Sequence, residues 1–143
     1  MRDFNRIVIH CTDTKHDHDV TVNDVDIWHK ARKFKMIGYH YLIRLDGKVE
    51  FGRPVDMVGA HARGFNKTSI GIAYAGGIDK DGQRVNTMTE QQTASMFYLI
   101  ESLVIVFGDL ELCGHNDLTD QKTCPNFDVG EWWLYQNENN EIE

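Results

Sequence analysis

The stretch RIVIHC, residues 6–11, decides the fold of this 143-residue chain. It is a short run of β-branched and apolar residues, which predicts a buried strand. A second run, SIGIAYAGG at 69–77, predicts another buried strand, whose glycines permit close backbone approach. Buried strands of this kind are typical of a sheet whose faces are covered by helices.

Helical patterns separate the strands. Within TVNDVDIWHKARKFKM, residues 21–36, apolar side chains recur at three-residue steps, which predicts one apolar helix face. A second helix is predicted to open with a capping box formed by Thr89 and Gln92 and to end at Gly108. The segment VGEWWLYQN, 129–137, predicts a terminal helix.

Two further strand signals complete the pattern. The pair Asp46-Gly47 between two apolar runs predicts a β-hairpin with a type I′ turn, and LELCG at 110–114 predicts a last strand. The order β-α-β-β-β-α-β-α indicates an α/β domain with a central mixed sheet flanked by helices. In this layout His10 and His115 lie at strand ends, where functional sites are usually assembled.

Composition and charge narrow the class of protein. With 41% hydrophobic and 26% charged residues, we expect one ordinary domain over 1–143 that ends in a polar tail at 135–143. The net charge of −7 argues against a nucleic-acid partner. No segment has the length and apolar character of a signal peptide or a membrane span. The three cysteines cannot all pair with one another, so in a cytoplasm they are expected to be thiols or metal ligands.

The segment GHNDLTDQKTCPNFD, 114–128, combines His115, Lys122 and Cys124 with little apolar periodicity. Catalytic zinc takes three protein ligands and accepts both His nitrogen and Cys sulfur. His10, His115 and Cys124 are therefore a candidate zinc site at the strand ends. No general zinc signature such as His-Glu-x-x-His supports it, and each residue alone also fits ordinary packing.

Four blocks of the sequence resemble a known family. In order and spacing, they are similar to type 2 N-acetylmuramoyl-L-alanine amidases, most closely the bacteriophage lysozyme-amidases, which share a fold with the peptidoglycan recognition proteins. The resemblance covers a core of about 6–134. The blocks are IVIHCTDT, GYHYLIRLDGKVEFGRP, GAHARGFNKTSIGIAYAGG and GHNDLTDQKTCPNFD.

The resemblance implies roles for single residues. The zinc ligands of the family match His10, His115 and Cys124, which implies one Zn²⁺ per chain. Its catalytic Tyr and Lys match Tyr39 and Lys122. Its groove histidine matches His61, which implies a contact with the substrate. The chain departs from the family at Asn116, where many members have Arg, and in a loop between His115 and Cys124 that is one residue longer than in phage relatives.

The implied activity is hydrolysis of the amide that joins the lactyl group of N-acetylmuramic acid to L-alanine in peptidoglycan. A phage or prophage endolysin of this kind is a monomer, stored in the host cytoplasm, that acts on the cell wall after release. Some phage amidases of the family also bind and inhibit the phage RNA polymerase, so a polymerase is a further implied partner.

Two other functions remain open from the sequence. A thiol-dependent hydrolase would use Cys124 or Cys11 as its nucleophile, although strand alternation turns Cys11 towards the core. A peptidoglycan-binding module with weak or no catalysis would keep the groove, but such proteins typically lack the Cys ligand. The presence of Cys124, Tyr39 and Lys122 favours an active enzyme.

Overall fold

A computed structural model describes residues 1–140. Its centre is a five-stranded sheet with strand order β4-β3-β5-β1-β7. The β3–β4 pair is antiparallel and the other pairs are parallel, so the predicted mixed sheet is confirmed. A separate two-stranded parallel sheet pairs β2 with β6. The strands are β1 Arg6–Cys11, β2 Thr14–Lys15, β3 Tyr41–Ile43, β4 Val49–Phe51, β5 Ser69–Tyr74, β6 Gly77–Ile78 and β7 Glu111–Gly114.

The helices follow the predicted order, with a short helix added after β7. Thr21 caps α1 with its side chain, and α1 ends earlier than the apolar pattern suggested. The predicted capping box of Thr89 and Gln92 opens α2, and Gly108 ends it at φ 89°. The helices are α1 Val22–Ala31, α2 Glu90–Phe107, α3 His115–Leu118 and α4 Val129–Asn139, with a 3₁₀ turn at Asn66–Thr68.

Successive side chains of β1 point to opposite faces of the sheet, so they pack in two separate hydrophobic clusters. Ile7 and Ile9 pack in one cluster with Met96 of α2 and Val129 of α4. Val8 packs on the opposite face in a cluster with Cys113. Cys11 is 3% exposed within the first cluster, as predicted for a core thiol. His10 therefore projects from the face opposite α2.

The hairpin forms where it was predicted, but its turn is not type I′. A type I′ turn requires positive φ at both central residues. Gly47 has φ 90°, whereas Asp46 is not among the residues with positive φ. The N–H of Gly47 donates to the carbonyl of Arg44 over 2.8 Å, so the turn spans one residue more and Gly47 takes the left-handed position.

The C-terminal helix extends into the segment predicted as a polar tail. Helix α4 runs to Asn139, so residues 135–139 are helical. The side-chain amides of Asn137 and Asn139 donate to the carbonyls of Trp133 and Tyr135, four residues earlier, each over 2.8 Å. The rest of the predicted tail, 141–143, lies outside the described residues. Among residues 1–140, no helix has the length and apolar character needed to cross a bilayer.

Candidate metal centre and active-site cleft

Parallel pairing of β1 with β7 brings two histidines together. His10 lies near the carboxyl end of β1, and Ile9 is in register with Gly114, which directly precedes His115. Neighbouring parallel strands end at the same edge of a sheet, so both imidazoles emerge side by side. Their ring centroids are 4.7 Å apart.

Cys124 reaches the same point from a loop that follows α3. The backbone N–H of Asn116 donates to the carbonyl of Cys124 over 2.8 Å. The Asn116 side chain donates to the carbonyls of Thr123 and Phe127, each over 3.2 Å. The loop is therefore fastened to α3 on both sides of the cysteine. Asn116, which departs from the common family pattern, fastens the loop without needing a charge.

The three residues form one group of donors. One ligand atom from each of His10, His115 and Cys124 lies within 4.8 Å of the other two. Burial is the main cause that lowers the pKa of His10 and of His115, so both rings are neutral at pH 7 and offer lone pairs. Two imidazole nitrogens and one sulfur match the donor set of a catalytic zinc site. The residues present therefore fit the metal.

The thiol of Cys124 has the character of a ligand rather than of a free nucleophile. A side-chain interaction with the Cys11 thiol and burial raise the pKa of the Cys124 thiol, and together they outweigh the backbone N–H of Cys11, which lowers it. Reactive cysteines need the opposite shift, towards thiolate at neutral pH. A metal ion supplies the charge that removes this proton on binding. Cys11 is buried at 3% exposure, so it is also unsuited to attack a polymer.

Tyr39 and Lys122 lie on the same cleft as the three donors. The ring of Tyr39 is 5.2 Å from that of His10, and burial raises the pKa of the phenol, which remains a neutral donor in the metal-free protein. Lys122 is exposed at the rim, and its charge contributes to lowering the pKa of His115. A cationic donor and a neutral donor thus flank the candidate metal site.

His61 contacts a proposed ligand directly. Its Nδ1 lies 2.8 Å from Nε2 of His10, and its Nε2 lies 3.3 Å from the hydroxyl of Ser69. Partial burial is the main cause that lowers the pKa of His61 to about 3, so the ring is neutral. The family resemblance implied that His61 contacts substrate, and no sequence feature indicated Ser69. A serine at the start of a strand carries no sequence signal of such a contact.

The cleft around these residues has a volume of about 950 Å³, which is ample for part of a polymer. One wall carries the aromatic side chains of Trp28 and Phe34, and Arg32 lies 5.0 Å from the ring of Phe34. Arg63 adds a second positive charge on the cleft surface. The apolar pattern of residues 21–36 placed Trp28 and Phe34 on a packed helix face and not in a site. In the structure α1 ends at Ala31 and Trp28 is 39% exposed, so both side chains are free to line the cleft.

The fold places three candidate metal donors, His10, His115 and Cys124, together at one edge of a mixed α/β sheet. Residues 1–127 match the family described as N-acetylmuramoyl-L-alanine amidase. The chain therefore belongs to the N-acetylmuramoyl-L-alanine amidase family and is an amidase of that class.

Individual relatives agree with this family. The endolysin of Klebsiella phage KP32 is 38% identical over 132 residues, which cover 92% of this chain and 87% of the relative. The endolysin of Escherichia phage T7 is 38% identical over 127 residues, which cover 89% and 83%. Among solved structures, the amidase LysC from Clostridium intestinale superposes with a TM-score of 0.80 at 34% identity, over 95% of this chain and 87% of that one.

The likeness extends to animal proteins at the level of fold. Drosophila PGRP-LB superposes with a TM-score of 0.73 at 22% identity, over 100% of this chain and 85% of the other. This similarity confirms the fold that the sequence blocks implied. It does not by itself assign a substrate.

Proposed function

We propose that this chain is a zinc-dependent endolysin that hydrolyses the amide between the lactyl group of N-acetylmuramic acid and L-alanine in peptidoglycan. The observation that carries the proposal is the convergence of His10, His115 and Cys124, from three separate segments, within 4.8 Å of one another inside a large cleft. Family membership and the phage endolysin relatives supply the reaction and its biological setting.

His10, His115 and Cys124 would hold the zinc ion. When bound, zinc would act as a Lewis acid and lower the pKa of a coordinated water to about 7, which addresses the poor reactivity of an amide. The two histidines are neutral and offer lone pairs, so Cys124 is the ligand residue that would have to give up a proton to hold the ion. The ligand set carries a single negative charge, which leaves the centre electrophilic.

Lys122 stabilises negative charge that develops on the carbonyl oxygen of the substrate. Its ammonium group is exposed at the rim, so it meets the scissile amide when substrate occupies the cleft. A charge-assisted hydrogen bond to an oxyanion is among the strongest contacts available to an enzyme. Lys122 lies two residues before Cys124, so its ammonium group is carried by the same loop as this proposed ligand.

Tyr39 orients the reacting groups through its phenol. Because burial keeps this phenol protonated in the metal-free protein, it can donate a hydrogen bond to an attacking water or to the leaving nitrogen. The ring lies beside His10, within reach of the same centre. No carboxylate contributes to the proposed ligand group, so Tyr39 is the candidate for proton transfer that the family match supplies.

The cleft surface suits a glycan strand that carries an acidic stem peptide. Although the chain has a net charge of −7, the cleft is lined by Arg32, Arg63 and Lys122. Exposed Trp28 offers an apolar ring face to a sugar. The cleft is therefore positively charged where a substrate with carboxylates would bind, although the chain as a whole is negatively charged.

One experiment tests the proposal. Purified protein is incubated with peptidoglycan after dialysis against a chelator, with and without added zinc, and the soluble products are analysed by mass spectrometry. We expect peptides that begin with L-alanine only in the zinc-loaded sample. Glycan fragments with intact stem peptides, or equal release without zinc, would contradict the proposal.

Three further expectations belong to the endolysin role. The protein is stored in the cytoplasm of the producing host and reaches the wall after release, it acts as a monomer, and it binds a phage RNA polymerase. Light scattering on the purified protein tests the second, and co-purification with a phage polymerase tests the third. The amidase assignment does not depend on these expectations.

A further inference from the structure

A chain of hydrogen bonds leads from a backbone carbonyl to the proposed metal ligand His10. The hydroxyl of Ser69 lies 2.7 Å from the carbonyl oxygen of Phe65 and 3.3 Å from Nε2 of His61. On its other side, Nδ1 of His61 lies 2.8 Å from Nε2 of His10. These contacts link residues that are up to 59 positions apart in sequence, and His10 and Ser69 lie on the neighbouring parallel strands β1 and β5.

The direction of each bond follows from the first acceptor. A carbonyl oxygen only accepts, so the single hydroxyl proton of Ser69 points to Phe65. The Ser69 oxygen can then only accept from His61, which places a proton on Nε2 of that ring. A neutral imidazole carries one N–H, so Nδ1 of His61 is an acceptor and takes the proton of Nε2 from His10.

We infer that His61 and Ser69 fix the tautomer of His10 and so select the nitrogen that faces the metal. With Nε2 of His10 protonated and bonded to His61, only Nδ1 has a free lone pair for a ligand bond. His61 is then a positioning residue that acts through His10, in contrast to the substrate contact implied by the sequence. This inference rests on the proposed zinc site.

The reversed chain is disfavoured by the same distances. If Nδ1 of His61 donated to His10, Nε2 of His61 would have to accept the hydroxyl proton of Ser69. The Ser69 and Phe65 oxygens would then face each other at 2.7 Å without a proton between them. Because the Ser69–Phe65 contact is the shorter of the two Ser69 contacts, the proton belongs there.

Two glycines make room for the His61 ring. A Cβ added to Gly71 would lie 2.6 Å from Cγ of His61, and one added to Gly59 would lie 2.7 Å from Cδ2 of the same ring. The ring is thus held between two stretches of backbone, which leaves little freedom to rotate. Because the His61 ring is confined, its Nδ1 stays in position to accept the hydrogen bond from Nε2 of His10. A mobile ring would not hold that position.

The first test uses metal-free protein labelled with ¹⁵N in its histidines. At neutral pH, NMR should show a proton on Nε2 of His10, a proton on Nε2 of His61, none on Nδ1 of His61, and a scalar coupling across the hydrogen bond between the two rings. After zinc is added, the Nε2 proton of His10 should persist while its Nδ1 resonance shifts. A proton on Nδ1 of His61, or loss of the His10 Nε2 proton on zinc binding, overturns the inference.

The second test compares zinc affinity in two nearly isosteric variants, measured by competition with a chromophoric chelator. His61→Asn keeps an acceptor near the Nδ1 position, so its affinity should stay within about threefold of wild type. His61→Leu removes the acceptor and should weaken zinc binding roughly 10- to 100-fold. Equal affinities of the two variants overturn the inference.

Ser69→Ala provides an alternative variant if His61→Leu does not fold. It removes only one hydroxyl from a buried position and therefore perturbs the fold less. Free of its acceptor, the His61 ring should populate both tautomers in the NMR spectrum, and zinc binding should weaken less than in His61→Leu. A single unchanged tautomer in Ser69→Ala overturns the inference. Failure of wild-type protein to bind zinc would defeat the proposed function instead, while the metal-free spectra would still decide the proton positions.

Discussion

The backbone N–H of Cys11 donates to Sγ of Cys124 over 3.0 Å. Strand β1 therefore contributes twice to the proposed metal centre, since His10 is a proposed ligand and the next residue supplies a hydrogen bond to the sulfur of Cys124. A main-chain donor is fixed by the strand and favours negative charge on the sulfur. The centre is thus built into the sheet and does not depend on loop conformation alone.

Lys122 is expected to affect turnover and not metal binding. Lys122→Ala should retain zinc and lose about 10²- to 10³-fold in kcat, the cost of removing one oxyanion donor in other enzymes. The measurement is kcat and KM on soluble peptidoglycan fragments, together with zinc content. Lys80→Ala, which changes an exposed lysine outside the cleft lining, serves as the control. Loss of zinc from Lys122→Ala, or unchanged kcat, would refute the assigned role.

Asn116 is expected to stabilise the loop that carries Cys124. Asn116→Ala removes its donors to the carbonyls of Thr123 and Phe127, so zinc affinity should fall roughly 10-fold. Backbone amides of residues 119–127 should also exchange faster with deuterium. Asn23→Ala, on the exposed side of α1, is the matched control and should change neither measurement. Unaltered affinity and exchange in Asn116→Ala would show that the loop is held by other contacts.

His40 is expected to make stability depend on pH. It is 1% exposed, its Nδ1 accepts the Gly71 N–H over 3.0 Å and its Nε2 donates to the Met57 carbonyl over 2.8 Å, so a second proton would break a bond. Burial is the main cause that lowers its pKa to about 4, whereas the unfolded ring titrates near 6.5. The unfolded state therefore binds a proton first as pH falls, and the free energy of unfolding should decrease between pH 6.5 and 4.

The His40 contribution is at most about 3 kcal/mol. Urea unfolding of metal-free protein across this pH range measures it. His40→Gln can replace both hydrogen bonds without titrating, so its unfolding free energy should fall less steeply with acid. His18→Gln, in an exposed loop, should follow wild type. Identical slopes for His40→Gln and wild type would contradict the assignment.

Gly71 is expected to be intolerant of a methyl group. In Gly71→Ala the new Cβ would lie within 2.7 Å of three atoms of the His61 ring, so the ring has to move. We expect a loss of about 1–3 kcal/mol in the free energy of unfolding and weaker zinc binding. Gly130→Ala in α4 is the control, because its Cβ would be 3.5 Å from the nearest atom and alanine favours helix. Equal stability of the two variants would contradict the claim that Gly71 confines the His61 ring.

Local patterns predicted much of the fold. The two central strands, the capping box of α2 and its glycine end were predictable because each depends on a few neighbouring residues. The type I′ turn was wrong because a two-residue motif does not reveal which residue takes positive φ. Strands β2 and β6 have 2 residues each and α3 has 4, which is too short for any period to show.

Residue types and strand ends indicated His10, His115 and Cys124 as candidate ligands, and the family resemblance added Tyr39, Lys122 and His61. His10 and His115 belong to blocks far apart in sequence, and the register of β1 with β7 brings them together. No spacing rule connects His61 to His10 or to Ser69, since the contacts arise from strand pairing and from the space left by glycines. The role of Asn116 in fastening the loop also required the three-dimensional structure.

The central claim is that His10, His115 and Cys124 together hold one zinc ion. The most direct measurement is the zinc content of each protein, determined by elemental mass spectrometry after the protein has been reloaded with zinc and passed through gel filtration. The proteins compared are wild type, the ligand variants His10→Ala, His115→Ala and Cys124→Ser, and the control His18→Ala. We predict about one zinc per chain in wild type and in the control, and almost none in the three ligand variants. Retention of about one zinc per chain in the ligand variants would contradict the claim.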